Sequence, residues 1–202
     1  MFTRMFPLGS APFPGAVIPL HIFEPRYLQM IDECVEQDLG FGIVLIARGS
    51  ESGGGEDRFD IGTHVVVEEM GRLPDDRRLI MCRATHRLQV TEWLPDDPYP
   101  QAETIDLLEP EPGELDLGPA VKAMERIVVI ASELGYDVGD FSVEVNPRKP
   151  INAVYKLANM APVGPFDAQR LLEAADSAAR LELLNEMLVE QEELLRARLA
   201  GG

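Results

Sequence analysis

The side chains able to do chemistry are few, and their spacing does not gather them. Histidine stands at 21, 64 and 86 and cysteine at 34 and 82, so the two thiols are 48 residues apart. A zinc site needs ligands at spacings such as CxxC or HExxH, and neither occurs. Cys34 falls on the apolar face of a helical stretch and Cys82 inside an apolar run, the setting of buried free thiols. Nothing in the sequence asks the histidines to converge. Carboxylates are paired at Glu68–Glu69, Asp75–Asp76, Asp96–Asp97 and Glu192–Glu193. General acid–base work needs a carboxylate with a shifted pKa, whereas these sit in turns or on a polar helix face and read as solvated surface. A phosphate-cradling loop needs GxxxxGK followed by Ser or Thr. The lysines are Lys122, Lys149 and Lys156, none follows a glycine, and "SGGG" at 52–55 opens no helix. The nucleophile elbow GxSxG and the SxxK spacing are likewise missing. No catalytic residue, metal or cofactor is expected.

The densest constellation is "IPLHIFEPRY", residues 18–27, with a histidine, a glutamate, an arginine and two aromatics beside two prolines. Its physics is that of fold-building, with part of a peptide groove as the alternative. Ile18, Leu20 and Ile22 alternate as in a strand. Pro25 suits the first position of a helix, where its missing N–H costs nothing. Glu24 stands at the N-cap, Arg26 is placed to pair with it or with a carboxylate on the β-rich part, and Phe23 and Tyr27 are expected to anchor the helix on a sheet.

Around this segment the elements follow from periodicity. Prolines at 7, 12, 14, 19 and 25 predict extended edge strands and turns over 5–25. "PRYLQMIDECVEQD" places Tyr27, Ile31, Cys34 and Val35 on one helical face. "FGIVLIA" at 41–47 is apolar throughout, a strand buried on both faces. A polar glycine-rich loop, "RGSESGGGEDRFDIGT", then leads to strands at 63–70, 77–85 and 86–94, with the turn "LPDDRR" between the first two and a further strand within 99–108. This predicts an antiparallel β-rich domain with one inserted helix. Composition changes at "EPEPGELDLG", so we divide the chain into a β-rich domain, 1–110, and a helical one, 111–202. The second part holds four helical stretches bounded by prolines and glycine. The last puts Leu181, Leu184, Leu188, Leu195 and Leu199 on one stripe with Glu190, Glu192 and Glu193 facing away, which predicts packing within its own bundle.

The chain of 202 residues carries a formal charge of −17, and both parts are acidic, −10 up to Pro110 and −7 beyond it. Such a surface repels a phosphate backbone, so nucleic acid is not an expected partner. No apolar run approaches the ~20 residues of a membrane-spanning helix. The broken amino-terminal apolar stretch is not a signal peptide, and the sparse cysteines fit a reducing compartment. The expected location is cytoplasmic, away from membranes.

Taken together, "FPL" at 6–8, "FPG" at 13–15, "PLHIFEPRY" at 19–27, "FGIV" at 41–44, "GT" at 62–63 and "PYPQA" at 98–102 resemble the amino-terminal, substrate-binding domain of the Lon protease family in order and spacing. One stretch departs: Ala84, Arg87 and Leu88 stand where the family has a glycine followed by "RF". The resemblance implies an α+β fold, a PUA-like β-pseudobarrel with one inserted helix followed by an α-helical bundle. Full Lon proteases add an ATPase module and a serine–lysine protease domain. These 202 residues carry neither, so the chain resembles the stand-alone bacterial Lon-domain proteins. It implies a non-enzymatic module that binds extended or unfolded polypeptide, with an adaptor docking a protease or ATPase partner, or a small-ligand pocket, as alternatives. For peptide binding the candidates are Phe13, Phe23, Arg26, Tyr27, Trp93 and Tyr99, since aromatics dominate binding hot spots. The acidity predicts that basic segments bind better than acidic ones.

Overall fold

Prolines punctuate the amino-terminal segment, Pro7 and Pro19 within strands and the others between elements or at a helix start. β1 (Phe2–Leu8) and β2 (Val17–Ile22) flank the segment holding Pro12 and Pro14, and Pro25 opens helix α1 (Pro25–Glu36). The first turn of a helix tolerates proline because its N–H groups lack intrahelical acceptors. There follow β3 (Phe41–Arg48), β4 (Asp57–Arg72), β5 (Arg78–Leu94) and β6 (Gln101–Leu107). The structure, a computed structural model, describes residues 1–49 and 55–201.

The strands hydrogen-bond in the order β2-β5-β4-β3-β1-β6, and β6 pairs back onto β5. The sheet therefore closes on itself through β5 and leaves β2 outside the ring. β5 serves both neighbours because it is 17 residues long: Arg78–Arg83 pairs with β2 and Arg87–Leu94 with β6. Register shifts along β4 and β5 supply the local bending that closure requires.

Several expectations are corrected. The sheet is mixed, because β1 and β3 run parallel. β1 is no edge strand but lies between β3 and β6; among the described strands it is β2 that stands at the open end. The two strands expected at 77–85 and 86–94 are one, passing through "ATHRLQV" with a shift of register where His64 meets His86 and Val65 meets Ala84. β4 starts at Asp57, inside the stretch expected to be loop. Its polar residues hid it: Arg58 finds Glu56 at 2.8 Å and Asp96 at 2.6 Å only after folding. The glycine-rich residues 50–54 lie outside the described residues.

One face of the closed sheet carries Met5, Val44, Leu88, Val90 and Ala102, with Trp93 packed against them. The opposite face carries Phe6, Phe41, Ile43, Ile80 and Cys82 and packs under α1. α1 buries Tyr27, Met30, Ile31 and Cys34, whereas Val35, expected on the same face, is exposed. Two family glycines have steric reasons. A Cβ on Gly42 would stand 2.6 Å from the Met5 sulfur, and one on Gly62 would collide with the Ile43 carbonyl oxygen. Glycine is what lets these strands approach.

The chain divides into two units, Met1–Leu108 and Glu109–Gly202. The second contains α2 (Gly118–Glu133), α3 (Pro150–Met160), α4 (Pro165–Glu173) and α5 (Ser177–Gly201). α5 buries Leu181, Leu184 and Leu188 as its periodicity predicts, but also Glu192, which was expected to face away. Glu192 is drawn in because it bridges Arg126 on α2 at 2.8 Å and Arg196 on its own helix at 2.6 Å. Leu199 is exposed. A second polar anchor lies under α3, α4 and α5. Arg180, fully buried, binds Glu109 at 2.9 Å, donates to the carbonyls of Leu171 and Ala174, and lies 4.5 Å over the Tyr155 ring. Tyr155 Oη and Ser177 Oγ donate to the same Glu109 carboxylate.

Candidate functional site

Edge strand β2 stands at the open end of the strand order, paired with β5 on one side and, among the described residues, with no strand on the other. Its register with β5 runs from Val17 opposite Arg83 to Ile22 opposite Arg78. The Ala84 N–H donates to the Ala16 carbonyl at 2.9 Å. By the alternation of antiparallel ladders, Ile18, Leu20 and Ile22 then turn their backbone groups toward β5. Val17, Pro19 and His21 turn theirs outward. Pro19 thus occupies an outward position, the only kind a ladder tolerates, and it deletes the central donor of the free edge. An added strand would leave one carbonyl unpaired, so the edge resists indiscriminate pairing. What this edge offers is side chains.

Concavities open on either side of β2. One of about 530 Å³ is lined by Pro19, Leu20, Met70, Leu79 and Met81, with His21 and Glu69 at its border. The other, about 300 Å³, lies between β1, β2 and the start of α1 and is lined by Phe6, Leu8, Ile22, Phe23 and Tyr27. An exposed apolar side chain lines each: Leu79, 50% exposed, in the first and Phe23, 54% exposed, in the second. The His21 ring lies 5.8 Å from that of Phe23.

The six candidate residues are not one cluster. Phe23, Arg26 and Tyr27 stand together at the head of α1. Phe23 does not anchor the helix, as expected, but projects into solvent; Tyr27 does the anchoring, buried with its ring 4.5 Å from Phe6. Arg26 lies over the Tyr27 ring at 4.5 Å and binds Glu24 at 3.1 Å, so Glu24 holds the arginine instead of capping the helix. Burial of Tyr27 pushes its hydroxyl well above the usual phenol range. Trp93 belongs to another group, half-buried, donating to Asp60 at 3.0 Å beneath the Arg58 guanidinium. Tyr99 is buried in a third. It donates to Glu33 and accepts from Arg4 at 3.1 Å. That hydrogen bond from Tyr99, seconded by one from Gln29, holds the Glu33 carboxyl below its ordinary value. Phe13 is buried; the proline loop around it is tied to β4 by the Thr63 hydroxyl, which donates to the Pro12 carbonyl at 2.6 Å.

Two histidines do converge, through cross-strand pairing that no spacing rule foretells. His64 and His86 stack with centroids 4.7 Å apart, and both Nδ1 atoms lie within 3.0 Å of the Thr85 hydroxyl. His86 Nε2 reaches Asp106 at 3.1 Å. Burial first, and the neighbouring His86 second, hold the His64 pKa below the ordinary imidazole value. Among the described residues no group of three or more His, Cys, Asp or Glu side chains is placed to hold a metal. Burial pushes Cys34 up to about 11 and Cys82 to about 12, which suppresses their thiolates.

The sequence reading missed Leu79 and Met70. A signal existed for Leu79: Leu79, Ile80 and Met81 are consecutive in a strand, so they cannot all face one core. Met70 becomes a groove residue only through pairing with Ile80.

Residues 3–190 match the family model of the ATP-dependent protease La (LON) substrate-binding domain. Among curated proteins, Lon protease 1 of Herpetosiphon aurantiacus is 23% identical over 197 residues, covering 94% of this chain and 24% of its own length. Lon protease of Koribacter versatilis is 27% identical, covering 92% of this chain and 23% of its own length. The chain thus spans about a quarter of the length of these bacterial relatives. Among solved structures, a Lon N-terminal domain protein from Xanthomonas campestris superposes with a TM-score of 0.70 at 24% identity, covering 91% of this chain and 96% of its own. The N-terminal domain of Mycobacterium avium complex Lon protease gives 0.63 at 14% identity, covering 94% of this chain and 99% of its own. These likenesses show the mixed α+β fold. Among the described residues no helix is long and apolar enough to cross a membrane.

Proposed function

Because the chain belongs to the Lon substrate-binding domain family, we propose that it is a non-enzymatic cytoplasmic module that holds extended or unfolded polypeptide in the concavities flanking β2. The observation that carries this reading is the pair of apolar hollows on either side of a proline-interrupted edge, with Phe23 and Leu79 exposed at their borders. A folded protein conceals its alternating apolar side chains; an extended one presents them to hollows of this kind. The PUA-like pseudobarrel belongs to the same proposal, supported by closure of the sheet through β5. A small-ligand pocket within the sheet finds less support, since Met5, Val44, Leu88, Val90 and Ala102 fill one face. The adaptor reading is supported by exposed Val189, Leu194 and Leu199 on α5, side chains suited to a protease or ATPase partner.

The test is titration of a fluorescently labelled, permanently unfolded model polypeptide, with its folded counterpart as control. Selective binding of the unfolded form, weakened about tenfold by Phe23→Ala with no loss of thermal stability, is the expected result; such a loss is ordinary for an aromatic hot spot. No binding up to high micromolar concentration removes the polypeptide reading and leaves the adaptor.

A further inference from the structure

The concavities beside β2 do not stand alone. The two that flank the strand share Pro19, Leu20 and His21. A third, about 180 Å³, lies between the end of α1 and β4, contains Val35, Leu39 and Val67, and shares Met70 with the first. Together they form a path of separate hollows linked through shared lining residues, mainly apolar in the first two and mixed in the third. Its charge has one sign. No lysine or arginine lines any of the three, whereas Glu24, Glu69, Asp38 and Glu68 do. Arg26 neutralises Glu24 and Arg83 neutralises Glu68. Among the described residues Glu69 and Asp38 have no ion-pair partner, and both are exposed. The surrounding unit offers few free cations, since Arg4, Arg26, Arg58, Arg77, Arg78 and Arg83 are all engaged with carboxylates.

We propose that this path takes extended polypeptide segments in which apolar residues are interleaved with lysine or arginine, the apolar side chains entering the hollows and the cations meeting Glu69 and Asp38. This deepens the polypeptide-binding reading and rests on it. The selectivity is a rim effect. Exposed charges at the border of an apolar contact change affinity modestly and are screened by salt, while the apolar contacts persist. Such a path discriminates among unfolded segments by composition and needs no defined sequence.

The test uses the full chain and three labelled peptides with one apolar pattern and Lys, Gln or Glu at the intervening positions, at low and at ~0.5 M salt. At low salt the lysine peptide is expected to bind about tenfold tighter than the glutamine peptide, the worth of two exposed charge pairs. The glutamate peptide is expected to bind weakest, and high salt to compress the series to less than about threefold. The E69Q/D38N variant, its fold checked by circular dichroism, should lose the lysine preference and keep its affinity for the glutamine peptide. Equal binding of the lysine and glutamine peptides at low salt overturns the charge selectivity and leaves polypeptide binding standing. A lysine preference that survives in E69Q/D38N overturns the placement on this path. Failure of all three peptides to bind overturns the underlying reading instead.

Discussion

Each unit of this protein pairs a buried arginine with a carboxylate, Arg78 with Asp32 and Arg180 with Glu109, and the two pairs are held differently. Arg78 in the β unit is nearly enclosed, but its partner Asp32, 3.1 Å away, keeps 34% of its side chain in water. Arg180 in the helical unit is wholly enclosed, and its partner Glu109 keeps only 10%. Solvent can absorb the charge of Asp32 if Arg78 is lost. Nothing comparable is open to Glu109, which relies on Arg180, Tyr155 and Ser177. The difference teaches where each unit draws its uniqueness. The β unit is specified by ladder pairing and two apolar faces, and the carboxylate that meets its Arg78 stays in contact with water. The helical unit depends on a polar clasp that ties the first residue of the unit to three helices.

The sharpest way to break that contrast is to remove each arginine. Arg180→Met should cost about 3–5 kcal/mol, because it strands a buried carboxylate. Adding Glu109→Gln should recover part of that loss. Arg78→Met should cost about 1 kcal/mol, the scale of a pair with one solvated partner. Urea unfolding of the variants measures both; equal losses would erase the distinction. Next in size, Tyr99→Phe should cost about 1 kcal/mol, the scale of a typical net hydrogen-bond contribution. It should also return the Glu33 carboxyl toward its ordinary value, readable by NMR titration. Smaller still is the effect on stability of Phe23→Ala, within about 0.5 kcal/mol as for exposed positions, although polypeptide binding should fall.

The pH response sharpens the comparison least in magnitude, but its sign is definite. The folded state holds His64 below its unfolded pKa. As pH falls below about 6.5, the unfolded chain takes up a proton that folded His64 refuses. Stability contributed by neutral His64 is therefore complete above that pH and is lost on acidification toward the folded pKa. His64→Gln should flatten the stability profile in that window, while Tyr99→Phe should leave this part of the profile unchanged.

Much of the molecule was legible. The proline at the head of α1, the buried run of β3 and all four later helices follow from local rules, because each depends on backbone chemistry or on the period of one segment. The family resemblance rested on residues whose reasons are now visible: Gly42 and Gly62 at close strand approaches, Ala102 within an apolar face, Tyr99 clasping Glu33. The groove was legible only in part. Phe23 was named as a candidate but also as an anchor, and its exposure depends on Tyr27 taking the core position instead.

By itself the sequence determined that an acidic α+β chain would form, where its helices lie, and that it resembles one binding family. Periodicity, proline and glycine act within a few residues, so a linear reading captures them. Tertiary structure alone decided that β5 is one strand serving three neighbours, that β1 runs parallel to β3, that Glu192 turns inward, and that His64 stacks on His86. Each of these depends on partners distant in the chain, whose attraction becomes effective only after folding has met the entropy of bringing them together.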